Sequence, residues 1–486
     1  MRLSTLAAEV ARLEGPDREV AGLALDSRKV RPGDLFAALP GARADGLAFA
    51  EAAVTAGAVA VLGDERLRAR PLGVPVLVAA DPRAALARIA ARFFGEQPKI
   101  VVGVTGTSGK TSVAGFTRQL WRKLGHRAAS LGTLGIVGPG FERPGSLTTP
   151  DPIELHRDLA ALARNGIDRL AMEVSSHALD QRRVEGVRFA AAAFTNLSRD
   201  HLDYHGTTEA YLAAKLRLFE ELLPPGADVV VNADAEEATA LAAIARDRGL
   251  ELLDFGRTAG RLRLVEQTPL AAGQRLELRL DGRAVTVETR LVGAFQAHNL
   301  LAALGLALAT GAPFEAVFLL GELEGAPGRM QHVADHPAGA AVYVDYAHKP
   351  DALRQALEAL RPHCAGRLHL VFGCGGDRDA GKRPLMGAIA ARLADRVIVT
   401  DDNPRSEDPA EIRRAILEAC PAALEIGDRR AAIAAALDGL GAGDVLLVAG
   451  KGHETYQIVG DTVLPFDDAA VVRELLGKTP GGERAP

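Results

Sequence analysis

The stretch Ile100-Val-Val-Gly-Val-Thr-Gly-Thr-Ser-Gly-Lys-Thr111 joins a β-branched apolar run to a glycine-rich loop that ends in lysine and threonine. The apolar run predicts a buried strand, and the residues that follow predict a helix from Ser112 to about Leu124, closed by Gly125. A loop between a strand and a helix directs backbone N–H groups and the helix amino terminus at phosphate oxygens. The stretch therefore predicts a nucleotide-binding α/β domain whose sheet is mainly parallel.

The glycine-rich loop predicts ATP binding, with Lys110 on the outer phosphates and Thr111 on a magnesium ion. Its match to the GxxxxGK[ST] pattern is incomplete, because Val104 stands at the first glycine position. A glycine-rich turn with a surface lysine is the alternative interpretation. The predicted ATP contacts in the loop are Gly106, Thr107, Ser108, Gly109, Lys110, Thr111 and Ser112.

Lysine is scarce in this chain, since 9 of the 57 basic residues are lysines and 48 are arginines. A lysine at a motif position therefore suggests chemistry that needs an amine. Lys215 ends the segment Tyr211-Leu-Ala-Ala-Lys215, downstream of Asp200-His201, and we interpret it as part of a metal site. Taken alone, Lys215 would be interpreted as a solvated helix residue. Together with Lys110, it indicates an enzyme that consumes ATP.

Two further segments place metal-binding side chains near the ends of predicted strands. Leu170-Ala-Met-Glu173 predicts a buried strand that ends in a carboxylate, and the loop 196–205 carries two aspartates and two histidines. Magnesium prefers oxygen ligands, so Glu173 is an ordinary ligand and His201 an unusual one. Taken alone, His201 and His205 would more often form loop hydrogen bonds.

The length of 486 residues exceeds what one hydrophobic core accommodates. Short β-branched runs alternate with helical stretches, so we expect three α/β domains at 1–98, 99–327 and 328–486. Glycine- and proline-containing breaks near 95–98 and 325–328 set these boundaries, and a helix is predicted to open at His298-Asn299. The strands predicted in the third domain are 341–344, 368–372, 397–400 and 445–448.

The bulk composition excludes several classes of protein. A net charge of −5 argues against a nucleic-acid partner. No run approaches the roughly 20 apolar residues that span a bilayer, and no signal peptide is indicated. The 3 cysteines lack CxxC spacing, which indicates neither a disulfide framework nor a zinc cage. We therefore expect a soluble cytoplasmic protein with no membrane partner.

Five motifs follow one another along the chain in an order that is typical of a known family. They are Gly106-Thr-Ser-Gly-Lys-Thr111, Met172-Glu-Val-Ser-Ser-His177, Asn196-Leu-Ser-Arg-Asp-His-Leu-Asp-Tyr-His205, His298-Asn299 and Asp345-Tyr-Ala-His348. On these motifs the chain resembles the Mur ligases, the ATP-dependent amide-forming enzymes of bacterial peptidoglycan synthesis. The resemblance covers essentially the whole chain. It implies a uridine-nucleotide-binding domain, a central P-loop ATPase domain and a Rossmann-like amino-acid-binding domain, in that order.

The resemblance also implies the catalytic groups. In the family, the lysine at the position of Lys215 is carbamylated by CO₂, which makes it a carboxylate that helps His201 to hold a second Mg²⁺. An arginine could not be modified in this way, because its guanidinium stays protonated. Thr111 and Glu173 would hold the first Mg²⁺, and Lys110 would contact the triphosphate. The remaining implied ATP contacts are Asn299 near the adenine, with Arg329 and Asp345 near the ribose or γ-phosphate.

The implied reaction has two steps. A substrate carboxylate attacks the γ-phosphate of ATP and gives an acyl phosphate, and an amine then displaces phosphate to form an amide. The enzyme mainly aligns the reactants and neutralises charge, so no protein nucleophile is needed.

The third domain indicates which amine is added. Asp402-Asn403-Pro404-Arg405 follows a predicted strand, and it resembles the signature of family members that add meso-2,6-diaminopimelate to UDP-N-acetylmuramoyl-L-alanyl-D-glutamate. Arg405 can bind a distal carboxylate with two hydrogen bonds, and Glu454 can take an ammonium. A proline turn with a surface arginine is the alternative interpretation. The predicted diaminopimelate contacts are Arg378, Asp402, Asn403, Pro404, Arg405, Gly450 and Glu454.

The contacts to the uridine-linked substrate also follow from the resemblance. The chain departs from the family pattern where Ala42-Arg43 stand in place of a common His-Gln pair. The predicted contacts are Leu25, Ser27, Ala42, Arg43, Ala44, Thr148, Thr149, Ser175, Gln181 and Arg183.

Three alternatives to this function stay open. One is a lysine-adding Mur ligase, whose amino acid has no distal carboxylate to bind. Another is a folylpolyglutamate synthetase, which would share the ATPase core and the carbamylated lysine. An ATP-hydrolysing switch or binding module belongs to another class, although two metals exceed what a simple switch needs. The expected partners are ATP, the UDP-linked dipeptide and diaminopimelate, and the expected state is a monomer.

Overall fold

The computed structural model describes residues 1–41, 44–145, 147–270 and 273–477. The chain forms two compact units, one of Met1–Phe255 with Ala302–Pro313 and the other of Gly256–Leu301 with Phe314–Pro486. The predicted domain boundaries near residues 98 and 327 stay predictions. No helix within the described ranges is long and apolar enough to cross a membrane.

The first unit begins with a five-stranded sheet. Its strand order is β1-β5-β4-β3-β2, and all neighbours are parallel except β1, which runs antiparallel to β5. The last helix starts where the side chain of Asp81 accepts hydrogen bonds from two backbone amides and Pro82 takes the first helical position. The elements are β1 (Arg12–Glu14), β2 (Gly22–Ala24), β3 (Asp34–Ala37), β4 (Ala60–Gly63), β5 (Val76–Val78), α1 (Leu3–Ala7), α2 (Ala50–Thr55) and α3 (Pro82–Phe94).

The first unit continues with the nucleotide-loop sheet. Its strands are β6 (Ile100–Thr105), β7 (Ala128–Gly132), β8 (Gly135–Gly138), β9 (Phe141–Arg143), β10 (Arg169–Glu173), β11 (Ala191–Phe194), β12 (Asp228–Asn232) and β13 (Glu251–Gly256). They are ordered β13-β12-β11-β6-β10-β7-β8-β9, and the run from β13 to β7 is parallel. The predicted mainly parallel sheet is therefore confirmed.

The helices of this part connect the parallel strands. They are α4 (Lys110–Lys123), α5 (Pro152–Arg164), α6 (Ser176–Asp180), α7 (Leu202–His205), α8 (Thr208–Arg217), a π-helical turn (Leu218–Leu222) and α9 (Ala238–Arg248). Helix α4 begins two residues before the predicted start at Ser112. The reason is Gly109, whose φ of 86° allows it to cap the helix where a residue with a side chain would be strained.

Strand register brings three strand ends together. Glu173 pairs with Val104 across β10 and β6, and Phe194 pairs with Thr105 across β11 and β6. The loops that follow these strands must therefore start side by side at one edge of the sheet. In open parallel sheets this carboxyl edge is where ligands bind.

The second unit contains an antiparallel meander of β14 (Leu262–Leu270), β15 (Gly273–Leu280) and β16 (Arg283–Thr289). The prediction of βα alternation almost everywhere was wrong here. The cause is local, because Asp281 and Gly282 have φ of 47° and 82° and form a tight hairpin turn between alternating strands. Helix α10 (Ala294–Ala309) begins four residues before His298, so the prediction that a helix opens at His298-Asn299 was also wrong.

A six-stranded sheet completes the second unit. Its order is β17-β18-β22-β19-β20-β21, and every pair is parallel except β17 with β18. The four strands predicted for this part differ from the observed ones by no more than one residue at either end. The strands are β17 (Gln331–Asp335), β18 (Ala341–Asp345), β19 (Leu368–Phe372), β20 (Arg396–Val399), β21 (Leu424–Glu425), β22 (Val445–Ala449) and the separate hairpin β23 (Tyr456–Val459) with β24 (Thr462–Pro465).

The helices of the second unit beyond α10 pack on this sheet or join its strands. They are α11 (Pro350–Leu360), α12 (Lys382–Leu393), α13 (Pro409–Leu417), α14 (Arg429–Asp438) and α15 (Asp468–Leu475). Short 3₁₀ helices occur in both units, at Ser27–Lys29, Gly46–Phe49, Glu65–Ala69, Phe314–Glu322 and Arg361–His363.

A fully buried ion pair joins α14 to α15. Both side chains have no exposed surface, and the Arg429 guanidinium donates two hydrogen bonds of 2.7 Å to the Asp468 carboxylate. Arg429 also donates to the carbonyls of Ala449 and Asp401, at 3.0 and 3.3 Å. The pair therefore holds the last residue of β22 and the backbone two residues after β20.

We expect Asp468→Asn to destabilise the protein by about 3 kcal/mol or more, because it leaves the Arg429 charge buried without a counter-charge. A lowered thermal unfolding midpoint of the full chain would measure this. The matched control is Glu474→Gln, which breaks the exposed pair that Arg430 and Glu474 form between the same two helices and should leave the midpoint near that of the wild type. Equal midpoints for the two variants would contradict the assigned role.

Candidate active site

The glycine-rich loop is held by the segment that follows β11. The Asn196 side-chain oxygen accepts from the Ser108 amide at 3.0 Å, and the Asn196 carbonyl accepts from the Thr107 amide at 2.8 Å. Gly106 has φ of 141°, and a Cβ there would lie 2.0 Å from the Thr195 hydroxyl. Only glycine can therefore occupy this position. Thr195 and Asn196 were not among the predicted site residues, although the motif 196–205 pointed to the same loop.

Two lysine side chains donate to one carbonyl oxygen in this loop. Lys110 Nζ donates to the Gly106 and Thr107 carbonyls at 2.8 Å each, and Lys215 Nζ donates to the Gly106 carbonyl at 2.8 Å. Lys215 is only 1% exposed. Burial, together with the neighbouring Lys110 charge, lowers the pKa of Lys215 to about 6. The Lys215 amine is therefore largely uncharged at neutral pH.

Tyr211 packs against Lys215, and sequence analysis did not select it. Lys215 Nζ lies 4.3 Å from the centre of the Tyr211 ring, and the Tyr211 hydroxyl lies 3.2 Å from Thr107 Oγ1. The spacing of four residues in α8 puts Tyr211 and Lys215 on one helix face, which is the signal that could have identified the tyrosine. Tyr211 therefore links α8 to the loop.

Glu173 ends β10 and is buried beside the tight turn after β7. Its carboxylate accepts from the Thr133 amide at 2.8 Å and from the Thr133 hydroxyl at 3.2 Å. A Cβ at Gly132 would lie 2.0 Å from the Glu173 carboxylate, so glycine is required for this approach. Thr133 was not predicted, because nothing in its sequence neighbourhood marks it as a partner of Glu173.

The predicted dipeptide contacts form one hydrogen-bonded network around Glu173. Thr149 Oγ1 donates to the Glu173 carbonyl at 2.9 Å and accepts from the Ser175 amide at 3.1 Å. Arg183 donates to the Thr149 carbonyl at 2.8 Å and to the Gln181 side-chain oxygen at 2.7 Å. Thr148 joins the network through a 3.1 Å contact between its hydroxyl and that of Thr133. These five residues are thus brought together, and their roles stay predictions.

His201 lies in a cluster of histidine and tyrosine rings. Its backbone is left-handed, with φ of 52°. Its ring centre lies 4.9 Å from that of His177 and 6.1 Å from that of Tyr211. No group of three or more His, Cys, Asp or Glu residues that could hold a metal ion was found within the described part of the chain. Of the four predicted metal ligands, Glu173 and His201 are of these residue types, and the other two are the hydroxyl of Thr111 and the modified amine of Lys215.

The predicted uridine contacts of the first sheet lie just beyond β2. Leu25 is partly exposed, and Ser27 opens a 3₁₀ turn capped by Asp26, whose carboxylate accepts from the Arg28 amide at 3.0 Å. The Ala44 carbonyl accepts from the Gly41 amide at 3.0 Å. The predictions for Ala42 and Arg43 lie outside the described residues.

Three predicted ATP contacts lie in the second unit. Asn299 is buried in α10 and donates to the Gln296 side-chain oxygen at 3.0 Å. Asp345 ends β18 and accepts from the Met330 amide at 2.6 Å, and burial raises its pKa to about 6. The Arg329 guanidinium lies 5.0 Å from the centre of the Tyr346 ring.

The predicted amino-acid contacts gather at the carboxyl ends of three neighbouring strands, β22, β19 and β20. Glu454 accepts from the Asn403 side-chain amide at 3.0 Å, which joins the loops after β22 and β20. Arg405 donates to the Gly376 carbonyl at 2.8 Å. A Cβ at Gly375 would lie 2.9 Å from the Arg405 guanidinium and 3.9 Å from Arg378, so both arginines flank the same glycine.

The backbone of this site is tightly constrained. Arg405 has φ of 51°, and it pairs with the hairpin β23–β24 through a 3.1 Å bond to the Ile458 carbonyl and a 2.8 Å bond from the Gly460 amide. A Cβ at Gly376 would lie 1.9 Å from the Pro404 carbonyl, and a Cβ at Gly450 would lie 2.9 Å from the Asp402 carboxylate. Pro404 and Gly450 thus lie where the loops of this site pack closely against one another.

Asp402 is buried, as are Asn403 and Pro404, and its carboxylate lies 3.4 Å from the ammonium of Lys451. Lys451 was not predicted as a site residue, although it lies inside the quoted Gly450–Glu454 segment. The structure therefore brings the seven predicted amino-acid contacts into one region, with Asp402 facing inward.

Three family models match the chain in order. They are the Mur ligase family catalytic domain over residues 19–94, the Mur ligase middle domain over residues 104–307, and the Mur ligase glutamate ligase domain over residues 328–452.

Individual proteins match over nearly the whole chain. The UDP-N-acetylmuramoyl-L-alanyl-D-glutamate–2,6-diaminopimelate ligase of Bradyrhizobium diazoefficiens is 56% identical over 465 residues, which cover 94% of this chain and 95% of the relative. The ligase of the same name from Caulobacter vibrioides is 56% identical over 467 residues, which cover 95% and 96%. A solved structure of a ligase with this name aligns with a TM-score of 0.72 at 36% identity, over 94% of this chain and 95% of that one. The chain belongs to the Mur ligase family.

Proposed function

We propose that this chain is an ATP-dependent ligase that joins meso-2,6-diaminopimelate to UDP-N-acetylmuramoyl-L-alanyl-D-glutamate in peptidoglycan precursor synthesis. The observation that carries the proposal is the site at the ends of β22, β19 and β20. There Arg378 and Arg405 flank Gly375, and the Glu454 carboxylate accepts a hydrogen bond from the Asn403 side-chain amide. A carboxylate and an ammonium at one end of an amino acid would match these charges. The names of relatives that are 56% identical support the same substrates.

The proposed chemistry forms an acyl phosphate and then an amide. The D-glutamyl carboxylate attacks the γ-phosphate of ATP, ADP leaves, and the amine of diaminopimelate displaces phosphate. Lys110 would leave the Gly106 and Thr107 carbonyls to contact the triphosphate, while the loop amides and the start of α4 bind phosphate oxygens. The network of Thr149, Ser175 and Arg183 would orient the dipeptide next to Glu173.

The donor atoms near the loop fit magnesium. Glu173 offers a buried carboxylate whose partners within the described residues come from Thr133, and Thr111 is the second residue of α4. We propose that Thr111 and Glu173 would hold one Mg²⁺ and that His201 and a carbamylated Lys215 would hold a second. Bound magnesium would offset the repulsion between triphosphate and carboxylate.

The environment of Lys215 supports carbamylation. An amine reacts with CO₂ only when it is uncharged, and the pKa of Lys215 is lowered to about 6 by burial and by Lys110. Carbamylation would replace this buried, largely uncharged amine by an anion that metal ions can neutralise.

We further propose the order of domains along the chain. Residues 1–98 would bind the uridine nucleotide, residues 99–327 would bind ATP, and residues 328–486 would bind the amino acid.

One experiment separates this function from its rivals. Phosphate release is measured with ATP, with either the UDP-linked dipeptide or a folate, and with a panel of amino acids that includes lysine, glutamate and diaminopimelate. We expect release that requires both the dipeptide and diaminopimelate. Preference for lysine would indicate a lysine-adding Mur ligase, because lysine has no distal carboxylate for Arg405 to bind. A requirement for a folate and glutamate would indicate a folylpolyglutamate synthetase, and release that needs neither substrate would indicate a nucleotide switch.

We expect Lys215→Ala to abolish ligation, because it removes the proposed carbamate, and we expect short carboxylic acids to restore part of the activity. Lys215→Arg should be inactive and should not respond to these acids, because the larger side chain fills the space. The control is Lys99→Ala, which removes an exposed lysine. Full activity of Lys215→Ala would refute the role.

The modification itself can be observed without activity. Carbon-13-labelled bicarbonate should give a carbamate signal in the nuclear magnetic resonance spectrum of the wild type that is absent from Lys215→Ala. The signal should persist at neutral pH, where a lysine with a pKa of about 6 is uncharged, and should fade as the pH falls below that value. A signal of equal strength in the variant would show that another amine is modified.

We expect Arg405→Ala to raise the KM for diaminopimelate on the order of tenfold to a hundredfold, because a charged hydrogen bond to the distal carboxylate is lost. The KM for ATP should stay near that of the wild type. Arg392→Ala, which removes an exposed arginine of α12, is the control. Equal increases in both KM values would mean that Arg405 is structural.

A further inference from the structure

The ammonium of Lys451 is buried at the centre of the amino-acid site. The side chain has no exposed surface. Nζ donates to the Tyr456 carbonyl at 2.7 Å, to Asn403 Oδ1 at 3.1 Å and to Asp402 Oδ1 at 3.4 Å. A buried lysine is costly unless its charge is compensated and its three hydrogens are bonded, and here both conditions are met.

These bonds fix the orientation of the Asn403 amide. Asn403 Oδ1 accepts from Lys451 Nζ and also from the Ile458 amide, at 2.9 Å. Because the oxygen faces two donors, the NH₂ group must point the other way, where it donates to Glu454 Oε2 at 3.0 Å. Lys451 therefore determines which face of Asn403 the Glu454 carboxylate meets.

The charges of the cluster leave one negative charge uncompensated. Asp402 and Glu454 are carboxylates, and Lys451 lies 3.4 Å from the first and 3.9 Å from the second. The nearby Arg429 is already paired with Asp468. One ammonium against two carboxylates leaves room for a second cation at Glu454, which is the more exposed of the two. Burial and the Asp402 charge raise the pKa of Glu454, although the Lys451 ammonium, which the two carboxylates share, opposes this shift.

We propose that Lys451 is a positioning and specificity-determining residue of the amino-acid site. It holds Asn403 and Glu454 in the geometry that receives an ammonium of the incoming amino acid, and it anchors β23 through the Tyr456 carbonyl. This inference rests on the proposed function. Lys451 acts through Asn403 and does not itself contact the reacting atoms.

The first test is Lys451→Met, which keeps the length of the side chain and removes its charge and hydrogen bonds. We expect the KM for diaminopimelate to rise on the order of tenfold or more, while the KM values for ATP and the UDP-linked dipeptide stay within about twofold. Lys99→Met is the matched control and should change none of them. An unchanged KM for diaminopimelate in a folded Lys451→Met protein would overturn the inference.

A double-mutant cycle with Asp402→Asn separates positioning from simple charge compensation. In D402N/K451M, both partners of the ion pair are neutral, so this variant should regain thermal stability relative to K451M. We expect the KM for diaminopimelate still to be about tenfold or more above that of D402N alone, because Asn403 remains without its donor. If K451M does not fold, this comparison replaces the first test. A Lys451 effect that vanishes in the D402N protein would overturn the positioning role.

The wild type distinguishes this inference from the proposed function. If the wild type releases no phosphate in response to diaminopimelate, the proposed function fails. If the wild type responds and the Lys451 variants keep its KM, only the inference about Lys451 fails.

Discussion

The carbonyl oxygen of Gly106 accepts hydrogen bonds from two lysines, and much of the first unit is arranged to make this possible. The register of β6, β10 and β11 places three loops at one edge of the sheet, and α8 supplies the second lysine from a distant part of the chain. The absence of a Cβ at Gly106 leaves space for Thr195. Two cations on one acceptor are unfavourable unless one loses its charge, which is why the burial of Lys215 has chemical consequences.

Compensation of buried charge also organises the second unit. Arg429, paired with Asp468, donates hydrogen bonds to the carbonyls of Asp401 and Ala449. Lys451 and Asp402 form an ion pair inside the proposed amino-acid site. In the Arg429–Asp468 pair the two charges cancel, and neither side chain is exposed. The second group has two carboxylates, Asp402 and Glu454, that share one ammonium, and that imbalance distinguishes the candidate binding site from a structural ion pair.

The sequence predicted the parts of this molecule whose signals are local. The apolar run before Gly106, the carboxylate that ends β10 and the four strands of the last sheet can be read from neighbouring residues, because strands and phosphate loops have characteristic patterns. The antiparallel meander was missed even though Asp281-Gly282 is a hairpin signal, because the βα pattern on either side was extended across it. The start of helix α10 was predicted too late because the motif His298-Asn299, which indicated the helix, begins four residues after its first residue, Ala294.

Partners that are distant in sequence could not be predicted. Thr133 meets Glu173 across 40 positions, and Lys451 meets Asn403 across 48. Only the strand order β22-β19-β20 makes the second contact possible. Family motifs predicted many of the residues that the structure brings together, but the residues that hold them in place became evident only from the packing.

Backbone hydrogen bonds connect Arg405 to the hairpin β23–β24 of the second unit. Arg405, which is proposed to bind a carboxylate, also forms two backbone hydrogen bonds with this hairpin. Its amide donates to the Ile458 carbonyl, and its carbonyl accepts from the Gly460 amide. A displacement of its backbone must be transmitted to an exposed ribbon that has little packing of its own. The rate at which the Gly460 amide exchanges its hydrogen with solvent thus reports on changes in the surroundings of the Arg405 guanidinium.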